Sequence, residues 1–278
     1  MKKTFNLIAT LLALSVYQGA HAASNSITIA TEGAYPPWNF TTSDGQLAGL
    51  EVDLAKVLCK KMAMDCTIIA QDWSGMIPAL KAGKFDVIMA GMFITDKRLE
   101  VMSFSQPYAI DPSSFAVEKD SELAKSTDSE KVSLNDTKKA QAAIEKLRPL
   151  LKGKTVGVQA STTLYEFLKK YFGDDIKIRT YKTTEQRDLD LEAGRVDAIY
   201  GQRTVLAATL KNDGFQDFMI AGPGFYGGIF GRGVGAGVRK DDDKLREKLN
   251  KAIQSAIADG TIKQLSEKWM GVDITPGS

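Results

Sequence analysis

The sequence predicts an α/β protein with largely parallel sheets and room for two domains. Short β-type apolar runs alternate with helix-period segments along the chain, the pattern of strand–helix units packed in layers. With 278 residues and 44% hydrophobic content, the chain is long and apolar enough for two cores of ordinary size. No short-period repeat or low-complexity tract interrupts the alternation.

In chain order, strands are expected at 27–31, 66–70, 86–90, 114–118, 155–159, 177–181, 197–201 and 234–238. Helices are expected at 51–62, 74–82, 96–101, 139–150, 162–171, 184–193, 203–211, 241–258 and 261–269. In the first helix Leu54, Leu58 and Met62 share a face. Thr67–Ala70 then reads as a strand. The run Phe85–Ala90 is apolar and bounded by Gly83 and Gly91, which marks a buried strand. Thr95 is placed to cap the helix that starts at Asp96. Residues 119–139 are polar without a strong period and read as a surface excursion; Lys138–Leu151 is a charged amphipathic helix with a solvated face. Gln159-Ala160-Ser161-Thr162 ends one strand and opens a helix. The glycines between Gly227 and Gly237 suit a segment that must bend. They lead into Val238-Arg239-Lys240-Asp241 rather than directly into a helix, so a dinucleotide loop is weakly supported.

The amino terminus gives a compartment. Lys2 and Lys3 precede an apolar run from Phe5 to Val16, and Ala20-His21-Ala22 offers a small-x-small cleavage site. This is the pattern of a signal peptide over residues 1–22; the run is short for a membrane anchor of about 20 residues. Cys59 and Cys66 are the only cysteines. In an exported chain a pair at this spacing favours a disulfide between a helix end and the next strand. A zinc or redox pair would want C-x-x-C spacing or further ligands. The one histidine, His21, falls in the leader, which removes histidine-based nucleophilic and acid–base chemistry from the mature chain. No cofactor or metal is expected. Without the leader, 34 basic residues balance 34 acidic ones, which argues against nucleic acid as a partner.

The densest motif is Gly91–Tyr108, containing I-T-D-K-R-x5-F-S-x-P-Y. It puts helix-start N–H groups and the Arg98 guanidinium at a strand end, a good receptor for a carboxylate. Taken alone, Arg98 reads equally well as a surface helix arginine.

With its neighbours, this block resembles the periplasmic polar amino-acid-binding proteins of ABC importers. The likeness takes in Ile29–Trp38, Gly49–Ala55, Trp73–Leu80, Gly157–Thr163, Gly194–Ala198 and the tail Asp259–Trp269. Within the family, the chain looks most like the lysine/arginine/ornithine and octopine/nopaline binders. The resemblance implies a two-lobed periplasmic binding protein fold of type 2, each lobe a mostly parallel sheet flanked by helices, joined by two crossing strands. Lobe 1 would comprise 23–111 and 229–278, and lobe 2 would comprise 112–228. It implies a non-catalytic monomer in the periplasm that closes on a small molecule and delivers it to an inner-membrane ABC permease.

The resemblance also implies a ligand set. The α-carboxylate would sit on Arg98 and on backbone N–H at Thr162, with Gln159 and Ser161 beside it. Glu32, Tyr35 and Trp73 would hold a cationic side chain, the ring contributing about 2 kcal/mol if desolvated. Without the family match, Tyr35 and Trp73 read as core aromatics, and Ser161 or Thr162 as a helix cap. Trp38 is expected to pack beneath this wall. Ala90, Gly91, Met92 and Phe93 would complete the cleft. Ala90 and Gly91 stand where basic amino-acid binders have a serine pair, and Phe93 replaces a further serine. Gln202 stands where those binders place an aspartate for the α-ammonium. Gln202 with small residues at 90 and 91 matches the opine binders instead, whereas Phe93 occupies volume a long opine tail would want.

The competing class is an enzyme on the same scaffold, similar to cyclohexadienyl dehydratase, with Glu32 as its acid; a carboxylate facing a cation should stay ionised. A sensor ectodomain would need a membrane span or signalling domain.

Overall fold

The computed structural model describes residues 25–126 and 129–277; the leader, its cleavage site and His21 lie outside the described residues. Among the described residues two large sheets form, one in each lobe, beside a small three-stranded one. The first has five strands in the spatial order Asp65–Ala70, Ser26–Thr31, Val87–Ile88, Val234–Val238, Ser103–Ala109. The first three run parallel, and Val234–Val238 is antiparallel to both its neighbours. The second has six, in the order Lys177–Tyr181, Thr155–Gln159, Ala198–Gln202, Ser113–Glu118, Phe218–Tyr226, Lys131–Ser133. Ser113–Glu118 is antiparallel to both its neighbours, and the remaining pairs are parallel. The chain passes between the sheets after Ala109 and again after Tyr226.

Every strand and helix expected from the sequence is present, with bounds moved by a few residues. Ser103–Ala109 and Phe218–Tyr226 were not expected, nor were Lys131–Ser133 and the small sheet Ala34–Tyr35, Asn39–Thr41, Leu47–Ala48. Pro107 hides the first, because proline cannot donate to a ladder; the strand forms because it lies at the sheet edge. Gly222-Pro223-Gly224 interrupts the second, where the pairing slips between Ala221 and Phe225.

Helix Leu50–Met62 buries Leu54 and Leu58 against the first sheet's core, with Ile27 and Ile29. It ends at Ala63 in the left-handed conformation (φ 51°). Cys59 and Cys66 form the expected disulfide, with Cα atoms 6.1 Å apart, so the helix end is tied to strand Asp65–Ala70. Among the described residues no helix is long and apolar enough to cross a membrane. The carboxyl ends of the central parallel strands, Thr31 in one lobe with Gln159 in the other, face the junction where α/β sheets present their ligand sites.

Candidate functional site

The lobes are closed on one another, and polar contacts cross between them. Gln159 Nε2 donates to Glu32 Oε1 at 2.7 Å, and Tyr35 OH donates to Gln202 Oε1 at 2.6 Å. Trp73 Nε1 donates to the Ser161 carbonyl at 3.1 Å, and Thr184 Oγ1 to the Ala34 carbonyl at 3.3 Å. Lys182 pairs with Asp72 at 2.9 Å. Trp38, fully buried, donates Nε1 to Thr204 Oγ1 at 3.0 Å, and that hydroxyl donates to Asp111 at 2.6 Å. Burial pushes Asp111 up to about 7, against the hydrogen bonds from Thr204.

Between these contacts lies a cavity lined by Glu32, Tyr35, Trp73, Ala90, Gly91, Phe93, Arg98, Gln159, Thr162 and Gln202, together with Thr163 and Leu164. It leaves about 20 Å³ for the centre of a water-sized sphere, room for about one water. By the same measure it is flanked by a chamber of about 570 Å³ that reaches Arg98, Met92 and Ser161, and by one of about 290 Å³ on the Glu32 side. A solute larger than a water therefore reaches the central cavity by parting the lobes.

Arg98 lies on the short helix Asp96–Leu99, capped as expected by Thr95 Oγ1, which accepts the Arg98 N–H at 3.3 Å. Its Nη1 donates to the Phe93 carbonyl at 2.9 Å, and its guanidinium stands 5.3 Å from the centre of the Trp73 ring. Among the described residues no acid forms an ion pair with it. Burial lowers its pKa to about 10, so it remains a cation at neutral pH. Arg98 is half-buried; a partly desolvated cation without a counter-charge carries a cost, and an anion in the cavity would relieve it.

From lobe 2, strand Thr155–Gln159 leads through Ser161, which takes a positive φ of 59°, into helix Thr163–Phe172. Thr162 caps that helix, its Oγ1 accepting the Tyr165 N–H at 3.2 Å. The N–H groups of Thr163 and Leu164 have no acceptor within the helix, and both residues line the cavity. The sequence reading missed these two. The cap at Thr162 was the available signal, since a helix's first turn follows its cap. Met92 and Ser161 line the larger flanking chamber rather than the central cavity.

Glu32 is 8% exposed, and burial pushes it up to about 7. The Gln159 hydrogen bond works downwards, while Asp72 and Glu51 add to the rise. The expectation is that a carboxylate facing a cation stays ionised; without such a cation, burial in the closed cleft favours the protonated form. Gln202 is buried; its oxygen is occupied by Tyr35, and its Nε2 has no partner. Gly91 has φ 60°, and a Cβ there would stand 2.9 Å from the Tyr35 ring, so no serine fits without moving the ring. Phe93 packs on Phe230 with ring centres 5.4 Å apart, and its carbonyl holds Arg98.

The pattern of the bacterial extracellular solute-binding proteins, family 3, matches residues 27–272. The chain belongs to that family. As a family 3 solute-binding protein it is 46% identical over 285 residues to the octopine-binding periplasmic protein of Rhizobium meliloti, covering 95% of this chain and 97% of that one. Its fold is similar to that of an ancestral arginine-binding protein bound to arginine, with TM-score 0.75 and 32% identity over 89% of this chain and 99% of that one. It is also similar to an ancestral amino-acid-binding protein described as a precursor of cyclohexadienyl dehydratase. There the TM-score is 0.71, with 28% identity over 88% of this chain and 95% of that one. These are the architecture and family that the sequence motifs implied.

Proposed function

We propose that this solute-binding protein captures a basic amino acid or an arginine-derived opine in the periplasm and hands it to an inner-membrane ABC permease. The α-carboxylate meets Arg98 and the N–H groups at the start of helix Thr163–Phe172, and the cationic end meets Glu32. The observation that carries this reading is the Arg98 guanidinium, half-buried at the cleft with no acid among the described residues paired to it. Trp73 contacts that guanidinium and, with Tyr35, walls the path to Glu32.

Gln202 favours the opine over the free amino acid. Its unpartnered Nε2 is a donor, which a second carboxylate on a substituted α-nitrogen satisfies and an α-ammonium opposes. Octopine binding by the Rhizobium relative agrees with this. A thermal-shift screen of arginine, ornithine, lysine, octopine, nopaline and guanidino compounds tests the reading, since a ligand that binds only the folded chain raises its melting temperature. No shift with any of them would overturn it.

One observation favours a catalytic reading: Glu32, pushed up to about 7, is a usable general acid in the closed cleft. Incubation with prephenate or arogenate decides it. A binding protein releases no aromatic product.

A further inference from the structure

Glu51 does not line the central cavity, yet it is joined to two loops that do. It is 1% exposed on the first turn of helix Leu50–Met62, among Tyr108 and Asn39, which are fully buried. Its Oε1 accepts the Gly91 N–H at 2.7 Å and the Tyr108 hydroxyl. Its Oε2 accepts Asn39 Nδ2 at 2.6 Å. Asn39 Oδ1 in turn accepts the Gly33 N–H at 2.8 Å.

We infer that Glu51 and Asn39 form a positioning relay that holds the Glu32–Gly33 and Ala90–Gly91 loops at the spacing the ligand requires. The inference rests on the cleft being the binding site. Each group in the relay has one permitted orientation. Gly33 offers only a donor, so Asn39 must turn its oxygen there and its amide NH2 towards residue 51. Residue 51 must then accept on both sides, from Asn39 and from Gly91 with Tyr108, which a carboxyl does and an amide cannot. The Gly91 N–H is consumed by the relay, so it is not offered to the ligand. Its part is to fix where Gly91, with its positive φ, lies against Tyr35 and Gln202.

The hydrogen-bond logic supplies its own test. Glu51→Gln puts a donor against a donor in every orientation: turning Asn39 over to satisfy Gln at 51 turns its NH2 onto the Gly33 N–H. The pair Asn39→Asp with Glu51→Gln restores every bond, with the carboxylate moved one residue along the relay. We expect Glu51→Gln to bind arginine and octopine about tenfold more weakly, the size of one lost buried hydrogen bond. Its Gly33 and Gly91 amides should also exchange faster in the ligand-free protein. The double variant should recover both affinity and amide protection.

A folded Glu51→Gln protein with wild-type affinity overturns the inference. So does a double variant whose melting temperature recovers while affinity and amide protection do not, because a purely structural role would restore stability alone. Should Glu51→Gln fail to fold, Asn39→Ala replaces it, since that variant leaves Glu51 bonded to Gly91 and Tyr108. Affinity lost in Asn39→Ala and kept in the double variant supports the relay, and equal affinity in the two refutes it. If the wild-type protein binds neither probe, the proposed function fails on that result. The amide exchange of the same variants still decides the relay.

Discussion

Arg98 and Glu32 line the same cavity, Arg98 half-buried and Glu32 buried, and the chain supports them differently. Arg98 is held within its own lobe by the Phe93 carbonyl and the face of Trp73. Glu32 is held across the cleft by Gln159, 127 residues away. A guanidinium starts with so high a pKa that burial to about 10 leaves it charged. A carboxyl pushed up to about 7 does not stay fully charged at neutral pH. One wall is therefore a standing charge awaiting an anion, and the other is a contact of the closed form that a cation must convert into a charge.

The largest expected effect breaks the Arg98 wall. Arg98→Ala should weaken binding of any α-carboxylate ligand by about 100-fold or more, because a buried charge partner is lost. Its melting temperature should stay near that of the wild type, or rise, as an unpaired, half-buried cation is removed. Calorimetric titration beside a thermal melt separates the two.

Breaking the other wall should cost less and leave a mark in pH. Glu32→Gln should weaken cationic ligands about 10- to 100-fold. In the wild type the closed, free carboxyl titrates near 7, and a facing cation lowers that value. Binding then releases protons below about pH 7, and affinity rises with pH until it levels off above it. The raised carboxyl has the opposite consequence for the empty closed form, which is most stable at low pH and loses stability as pH rises from the unfolded value towards 7. Titrations from pH 5 to 8.5 should show the rise in the wild type and a flat profile in Glu32→Gln.

A smaller change sharpens the comparison by testing what lies between the walls. Gln202→Asp gives an α-ammonium the charged partner it lacks and should shift preference towards arginine over octopine by about tenfold. Competition between the two ligands measures it. The smallest effect on binding should come from the disulfide. Replacing Cys59 and Cys66 by serine should cost on the order of 2 kcal/mol of stability and leave affinity unchanged, because the bridge lies at a helix end away from the cavity.

The legibility of the two walls in the sequence differs in the same way. Arg98 could be found because its setting is local: a glycine-bounded strand, a capping threonine and an arginine within sixteen residues. The disulfide was legible for the same reason. Glu32 was placed by family motif, but its altered acidity was not foreseeable, since that depends on Gln159 and on burial by the other lobe. The Tyr35–Gln202 bond spans 167 residues and the Gly91–Glu51 bond 40. Nothing local encodes either pairing, and Glu51 passed as one more residue on a first helical turn. Strands Ser103–Ala109 and Phe218–Tyr226 escaped because proline and glycine weaken local strand preference, which sheet pairing then overrides.

The central claim is that one ligand satisfies both walls at once. Titrating the protein at pH 8 with arginine, octopine, agmatine and citrulline tests it most directly, since agmatine lacks the carboxylate and citrulline lacks the cation. Arginine or octopine should bind, and agmatine and citrulline should each be weaker than the better of the two by at least about 100-fold. Agmatine or citrulline binding as tightly as that ligand would contradict the account.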